Sequence, residues 1–80
     1  MNENDLIRVK VVFSNIFNIG VDDIDNTIAL HTLPDWDSLK HMSIIAALEE
    51  EFSVEFDQPE IESMINFEIV CATLGAYLDS

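Results

Sequence analysis

Eighty residues without a Gly/Pro/Ser-rich linker make a single domain, residues 1–80. The one cysteine, Cys71, excludes a disulfide framework, and the lack of a Cys/His cluster with ligand spacing excludes structural zinc. Sixteen Asp and Glu against three basic residues, Arg8, Lys10 and Lys40, give a formal net charge of -13, which would repel nucleic-acid phosphates and anionic lipid, while a hydrophobic fraction of 49% lets the chain fold. No apolar run approaches membrane-spanning length, and the opening Met-Asn-Glu-Asn-Asp lacks the positive n-region of a signal peptide, so the expected setting is cytoplasmic, with an acidic field that steers basic partners or divalent cations.

A first helix is expected from Asn2 or Asn4 as cap, with Glu3 and Asp5 at its positive end. Leu6, Val9, Phe13 and Ile16 then recur at steps of three and four, Val12 and Phe17 widen the stripe, and Gly20 is the expected left-handed stop. Residues 21–36 hold neither a helical nor a strand period. With Asp22, Asp23, Asp25, Asn26 and Pro34 among scattered apolar residues (Val21, Ile24, Ile28, Leu30, Leu33), they read as a long ordered loop pinned by those apolar side chains, a length that suggests a role.

Asp37 marks the next start, its carboxylate within reach of the backbone N–H of Leu39 or Lys40 and Trp36 placed before it as a staple, so Ser38 is the first residue of the second helix. His41, Ile44, Ile45, Leu48 and Phe52, with Ala47 beside them, fall on one face. Leu39, Met42 and Ala46 form an adjoining stripe, more apolar surface than one core contact requires, and Lys40, Ser43, Glu49 and Glu50 are left to face water. Pro59, Glu60 and Glu62 open a short third helix to about Ile65, and Asn66 caps a fourth through Phe67, Ile69, Val70, Thr73, Leu74, Tyr77 and Leu78. The expected fold is all-α: a four-helix bundle with three longer helices, one short third helix, and a long loop between helices one and two. Its expected core is Val9, Phe13, Ile16, Ile45, Leu48, Phe52, Ile69, Val70 and Leu74, with Cys71 a buried, inert thiol in the fourth helix.

No catalytic residue and no metal site are expected. Ser38, His41 and Asp37 superficially resemble a nucleophilic triad, yet one turn of a small bundle offers neither shelter nor oxyanion donors, so Asp37 reads as a cap and His41 as a core-edge histidine. The acidic stretch from Val21 to Thr27 lacks the ligand order of an EF-hand loop. Ser38 differs through its position, because a hydroxyl in the first turn lies beside free backbone N–H groups and the positive helix end, where an attached phosphodiester would be stabilised.

Asp37-Ser38-Leu39, followed by the run from Ile44 to Phe52 with its Ala-Leu-Glu-Glu-Glu-Phe end, resembles the acyl carrier protein family, whose Asp-Ser-Leu motif carries phosphopantetheine on its serine. The preceding long loop, the Pro-Glu short helix and the overall length extend the resemblance over essentially the whole chain. It implies a carrier that performs no chemistry: covalent phosphopantetheine from coenzyme A on Ser38, flanked by Asp37 and Leu39, with an acyl or related thioester on its terminal thiol. The implied partners are a phosphopantetheinyl transferase and acyl-loading and acyl-using enzymes, with no nucleic acid, no membrane and no second copy. They would dock on the second helix through Leu39, Lys40, Met42, Ala46, Glu49 and Glu50, the acids steering and the apolar residues making contact. Lys40 and Ser43 stand where fatty-acid-synthesis members usually carry acids, and Trp36 and His41 look more like specialised stand-alone carriers of secondary metabolism or cell-surface sugar modification. The alternative from a different class is a small acidic interaction module that uses the same helix surface without a prosthetic group.

Overall fold

Each helix begins at a side-chain oxygen that takes up an otherwise orphaned backbone N–H. In the computed structural model, which describes residues 1–25, 27–29, 33 and 36–79, α1 (Glu3–Phe17) starts at Asn2, whose side chain accepts the Asp5 N–H at 2.8 Å. Asp37 accepts the Lys40 N–H at 2.9 Å to open α2 (Ser38–Phe52). Asp57 and Glu60 form a capping box at α3 (Gln58–Ser63), and Asn66 accepts the Ile69 N–H at 2.7 Å to open α4 (Phe67–Leu78). The all-α, four-helix arrangement with a short third member is thus the observed one.

Two boundaries differ from those expected. α1 ends at Phe17, where Asn18 takes the left-handed conformation (φ 57°) and returns its N–H to Ser14 O, while Gly20 is extended at φ -68°. Asn tolerates that region through local hydrogen bonding, and the turn falls directly after the last buried residue of the helix, so the glycine is not needed as a stop. α3 opens at Gln58, one residue before Pro59, and closes at Ser63 rather than Ile65.

The loop between α1 and α2 contains a short 3-10 turn over Val21–Asp23 and is anchored at both ends. Ile24 and Ala29 are buried, the Phe67 N–H donates to Ile28 O at 2.9 Å, and Ala29 pairs with Asn66 in an isolated antiparallel bridge, which stitches the loop to the start of α4. Leu30, another expected pin, lies outside the described residues. Trp36 closes the loop with its indole in the core, 2% exposed, edge-on to Phe13 (centroids 5.5 Å apart) and tilted against Phe17 (5.6 Å). Phe13 in turn meets Phe67 edge-on at 5.1 Å, so one aromatic cluster joins α1, the loop and α4.

Val9, Phe13, Ile45, Leu48, Phe52, Val70 and Leu74 are buried as expected. Ile16 and Ile69 are only half-buried against the cluster, because the i, i+4, i+8 row Val9, Phe13, Phe17 takes the centre of α1 and Phe67, Val70 and Leu74 take that of α4. Ile44, Phe56 and Met64 complete the core. Cys71 is half-buried rather than buried, yet burial still pushes its thiol up to about 11, which keeps it protonated and unreactive at neutral pH.

α3 is tied to α4 by the Tyr77 hydroxyl, which donates to Glu60. That bond, with the Asp57 N–H, holds the Glu60 carboxyl below the usual carboxylate range, and the carboxylate pushes the Tyr77 phenol up to about 12. A depressed carboxylate contributes stability that is present above its ordinary range and lost as pH falls through the lowered one. A raised phenol contributes stability that is complete below 10 and lost as pH rises towards about 12. Tyr77→Phe is therefore expected to remove the alkaline part of the stability profile and to weaken the acid part, read by urea melts across pH. Leu48→Ala should cost about 2–5 kcal/mol in the same melts, and Ile16→Ala distinctly less; equal losses would contradict the flanking position of Ile16.

Candidate functional site

Burial of Trp36 at the end of the loop places Asp37 at the cap and turns Ser38, the next residue, out to solvent. Ser38 and Leu39 are at the positive end of α2, and among the described residues their N–H groups find no acceptor, since Asp37 serves only the Lys40 N–H. The Ser38 hydroxyl lies at a cleft of about 280 Å³ between α2 and α3, lined by Ser38, His41 and Met42 on one side and by Gln58, Ile61, Glu62 and Ile65 on the other. Leu39 (76% exposed), Met42 (52%), Ala46 and Ile65 leave an apolar surface around it. The second stripe of α2 is therefore not core.

His41 is engaged at both ring nitrogens. The Trp36 Nε1–H donates to Nδ1 at 3.0 Å, and Nε2 lies 2.7 Å from Ile61 O. The indole nitrogen can only donate and the carbonyl can only accept, so the network assigns the neutral tautomer with its proton on Nε2. No lone pair is left to take a proton from Ser38. Asp37 is occupied as a cap, so the three residues that mimic a triad do not form one.

The remaining expected contact residues have divided roles. The Lys40 ammonium donates to Ile16 O at 3.1 Å, half-buried at the C-terminal end of α1, instead of extending into water. Glu49 is also half-buried and accepts the Phe56 N–H at 2.9 Å. Glu50 and Ser43 are exposed, with Ser43 donating back to Leu39 O. The far wall carried by Gln58, Glu62 and Ile65 has no sequence signal of its own, apart from an apolar residue at 65 beyond the end of the short helix. A second cavity of about 280 Å³, lined by Leu6, Lys10, Asp25, Phe67 and Cys71, holds no activated nucleophile, because its thiol stays protonated.

The site thus brings together an exposed serine, the first-turn N–H groups of α2 and an apolar cleft, with His41 and Asp37 engaged elsewhere. No protein-family model matches the chain. It is 35% identical over 61 residues to the polyketide-8 synthase acyl carrier protein 1 of Streptomyces avermitilis, a stretch that covers 76% of this chain and 73% of that protein. With the four-helix fold, this likeness shows that the chain belongs to the acyl carrier protein family, as a carrier and not an enzyme.

Proposed function

We propose that this chain carries an acyl or related cargo on phosphopantetheine attached through a phosphodiester to the Ser38 hydroxyl, and presents it to the enzymes of a specialised, polyketide-type biosynthetic pathway. The observation that carries the reading is the exposed Ser38 at the first turn of α2, beside two N–H groups that have no acceptor among the described residues, and at the mouth of an apolar cleft. The residues present fit the group. The Ser38 and Leu39 N–H groups suit its phosphate, and Met42, Ile61 and Ile65 offer apolar walls to its chain. When bound, the group supplies a terminal thiol that holds the cargo as a thioester.

The chain's own contribution is to expose the attachment point, shield one side of it and present a docking surface. Leu39, Met42 and Ala46 supply apolar contact for a phosphopantetheinyl transferase and for acyl-loading and acyl-using enzymes, with Glu50 nearby as an exposed acid. Asp37 supports the site indirectly by fixing where the helix begins. A cytoplasmic setting belongs to the same proposal; among the described residues no helix is long and apolar enough to cross a membrane.

Incubation of the arm-free chain with coenzyme A and a broad-specificity transferase should add the mass of one phosphopantetheine to wild type and none to Ser38→Ala. An unmodified wild type would favour an acidic interaction module without a prosthetic group. Placement of Lys40 separates two effects of charge beside the serine. Lys40→Glu loses the bond to Ile16 O and is expected to cost about 0.3–1 kcal/mol of stability. Ser43→Glu changes an exposed side chain and should speed association of the loaded chain with a basic fatty-acid-synthesis partner at low salt, measured by stopped flow. An association rate unchanged by Ser43→Glu would place Ser43 outside the docking surface.

A further inference from the structure

His41 joins three elements through one ring. Its Nδ1 accepts from Trp36, whose indole is 2% exposed and wedged against Phe13 and Phe17, so that bond is anchored in the core. Its Nε2–H donates at 2.7 Å to Ile61 O, a carbonyl in the last turn of α3 whose one backbone bond is the long 3.4 Å one from the Met64 N–H, the Ile65 N–H turning to Ser63 O. The ring thus adds a second, shorter bond at the C-terminal end of a six-residue helix that has few bonds of its own. Trp36 and His41 also occupy the two positions of a helix-entry staple, with their rings nearly parallel at 25°. Ser38 lies one turn before His41, and both line the same cleft.

We infer that His41 is a positioning residue for the reaction at Ser38: by bonding the first turn of α2 to Trp36 on one side and to Ile61 of α3 on the other, it sets where the serine hydroxyl stands relative to the cleft. This rests on the reading of Ser38 as the attachment point. The holding form is the neutral ring. A second proton would set an Nδ1–H against the Trp36 Nε1–H, two donors with no acceptor between them. Among the described residues, the charged groups next to His41 in sequence or on the cleft wall are Asp37 at the cap, Lys40, whose ammonium is held at Ile16 O, and Glu62 of α3; Glu60 of α3 is turned to Tyr77.

The test follows arm attachment to the arm-free chain by intact mass, with coenzyme A and a transferase, alongside the emission of Trp36, the sole tryptophan. His41→Ala should lower kcat/KM about tenfold or more, with the loss in kcat, since the hydroxyl is misplaced while the docking surface is intact. Leu39→Ala should instead raise KM. His41→Gln, which keeps a donor and an acceptor, should recover most of the kcat. At one fixed pH, Trp36 emission should shift in His41→Ala and return towards the wild-type spectrum in His41→Gln.

Wild-type kcat in His41→Ala would overturn the inference, as would a loss confined to KM or a His41→Gln variant that recovers the wild-type emission but none of the kcat. Should His41→Ala fail to fold by circular dichroism, Trp36→Phe decides, since it removes the donor to Nδ1: a folded variant with wild-type kcat overturns the positioning role. A wild type that gains no mass at Ser38 under any condition is a different failure, that of the carrier reading itself.

Discussion

Two basic side chains fasten α1 and α2 at opposite ends, and the placement of the site follows from that antiparallel pair. At one end, Arg8 near the start of α1 donates through Nε to the Glu51 carboxylate at 2.9 Å and through Nη2 to Glu51 O at 2.7 Å, while its guanidinium lies 4.3 Å from the centre of the Phe52 ring. At the other, Lys40 in the first turn of α2 reaches Ile16 O, where the negative end of the α1 dipole attracts a cation. In a chain with a net charge of -13 these are two of only three basic residues. One exposed ion pair and one ammonium–carbonyl bond contribute little energy, and here they set register: the stabilisation comes from the apolar row between them, Val9, Phe13, Ile44 and Leu48.

With the pair aligned, the loop has one place to finish. Its Trp36 fills the space between Phe13 and Phe17 near the end of α1, which puts the α2 cap at the edge of the core and Ser38 just outside it. The opposite wall of the cleft needs separate support, because α3 has only six residues. It is held from both sides, by the Glu60–Tyr77 bond to α4 and by the His41–Ile61 bond to α2. The cleft therefore depends on side-chain bonds across elements more than on the intrinsic stability of the helix that forms half of it.

Local signals were legible in the sequence and distant ones were not. Asp37 and Asn66, and Asn2 as one of two candidates beside Asn4, could be read as caps because a side-chain oxygen and a backbone N–H three residues on are enough to define one. The two stripes of α2 could be read because helical spacing separates them, and Leu39, Met42 and Ala46 are indeed outside the core. Lys40 and Glu49 read as water-facing residues because their acceptor and donor, Ile16 O and the Phe56 N–H, belong to backbone whose position only the folded chain defines. Gly20 drew the helix stop away from Asn18 for a related reason: the end of α1 is decided by where its buried face ends, at Phe17. The wall from Gln58 to Ile65 belongs to the site only through the packing of α3 across α2, which no residue pattern encodes.

The distribution of charge bears on how a partner would meet the site. Asp5, Asp25, Asp37, Glu49, Glu51 and Glu60 are engaged in hydrogen bonds or ion pairs within the fold, whereas Asp22, Asp23, Glu50, Glu55 and Glu62 have none among the described residues. The long-range field therefore comes from the whole acidic domain, but close to Ser38 the cleft itself offers one acid, Glu62, within an apolar rim of Leu39, Met42 and Ile65. Long-range charge raises the rate of encounter and is screened beyond about 10 Å at moderate salt, whereas apolar contact is insensitive to salt and governs how long a complex lasts. On the proposed carrier reading, steering and dwell time are thus assigned to different residues, and choice among basic partners falls to the shape of the Leu39, Met42 and Ile65 surface and to the way His41 sets the serine within it.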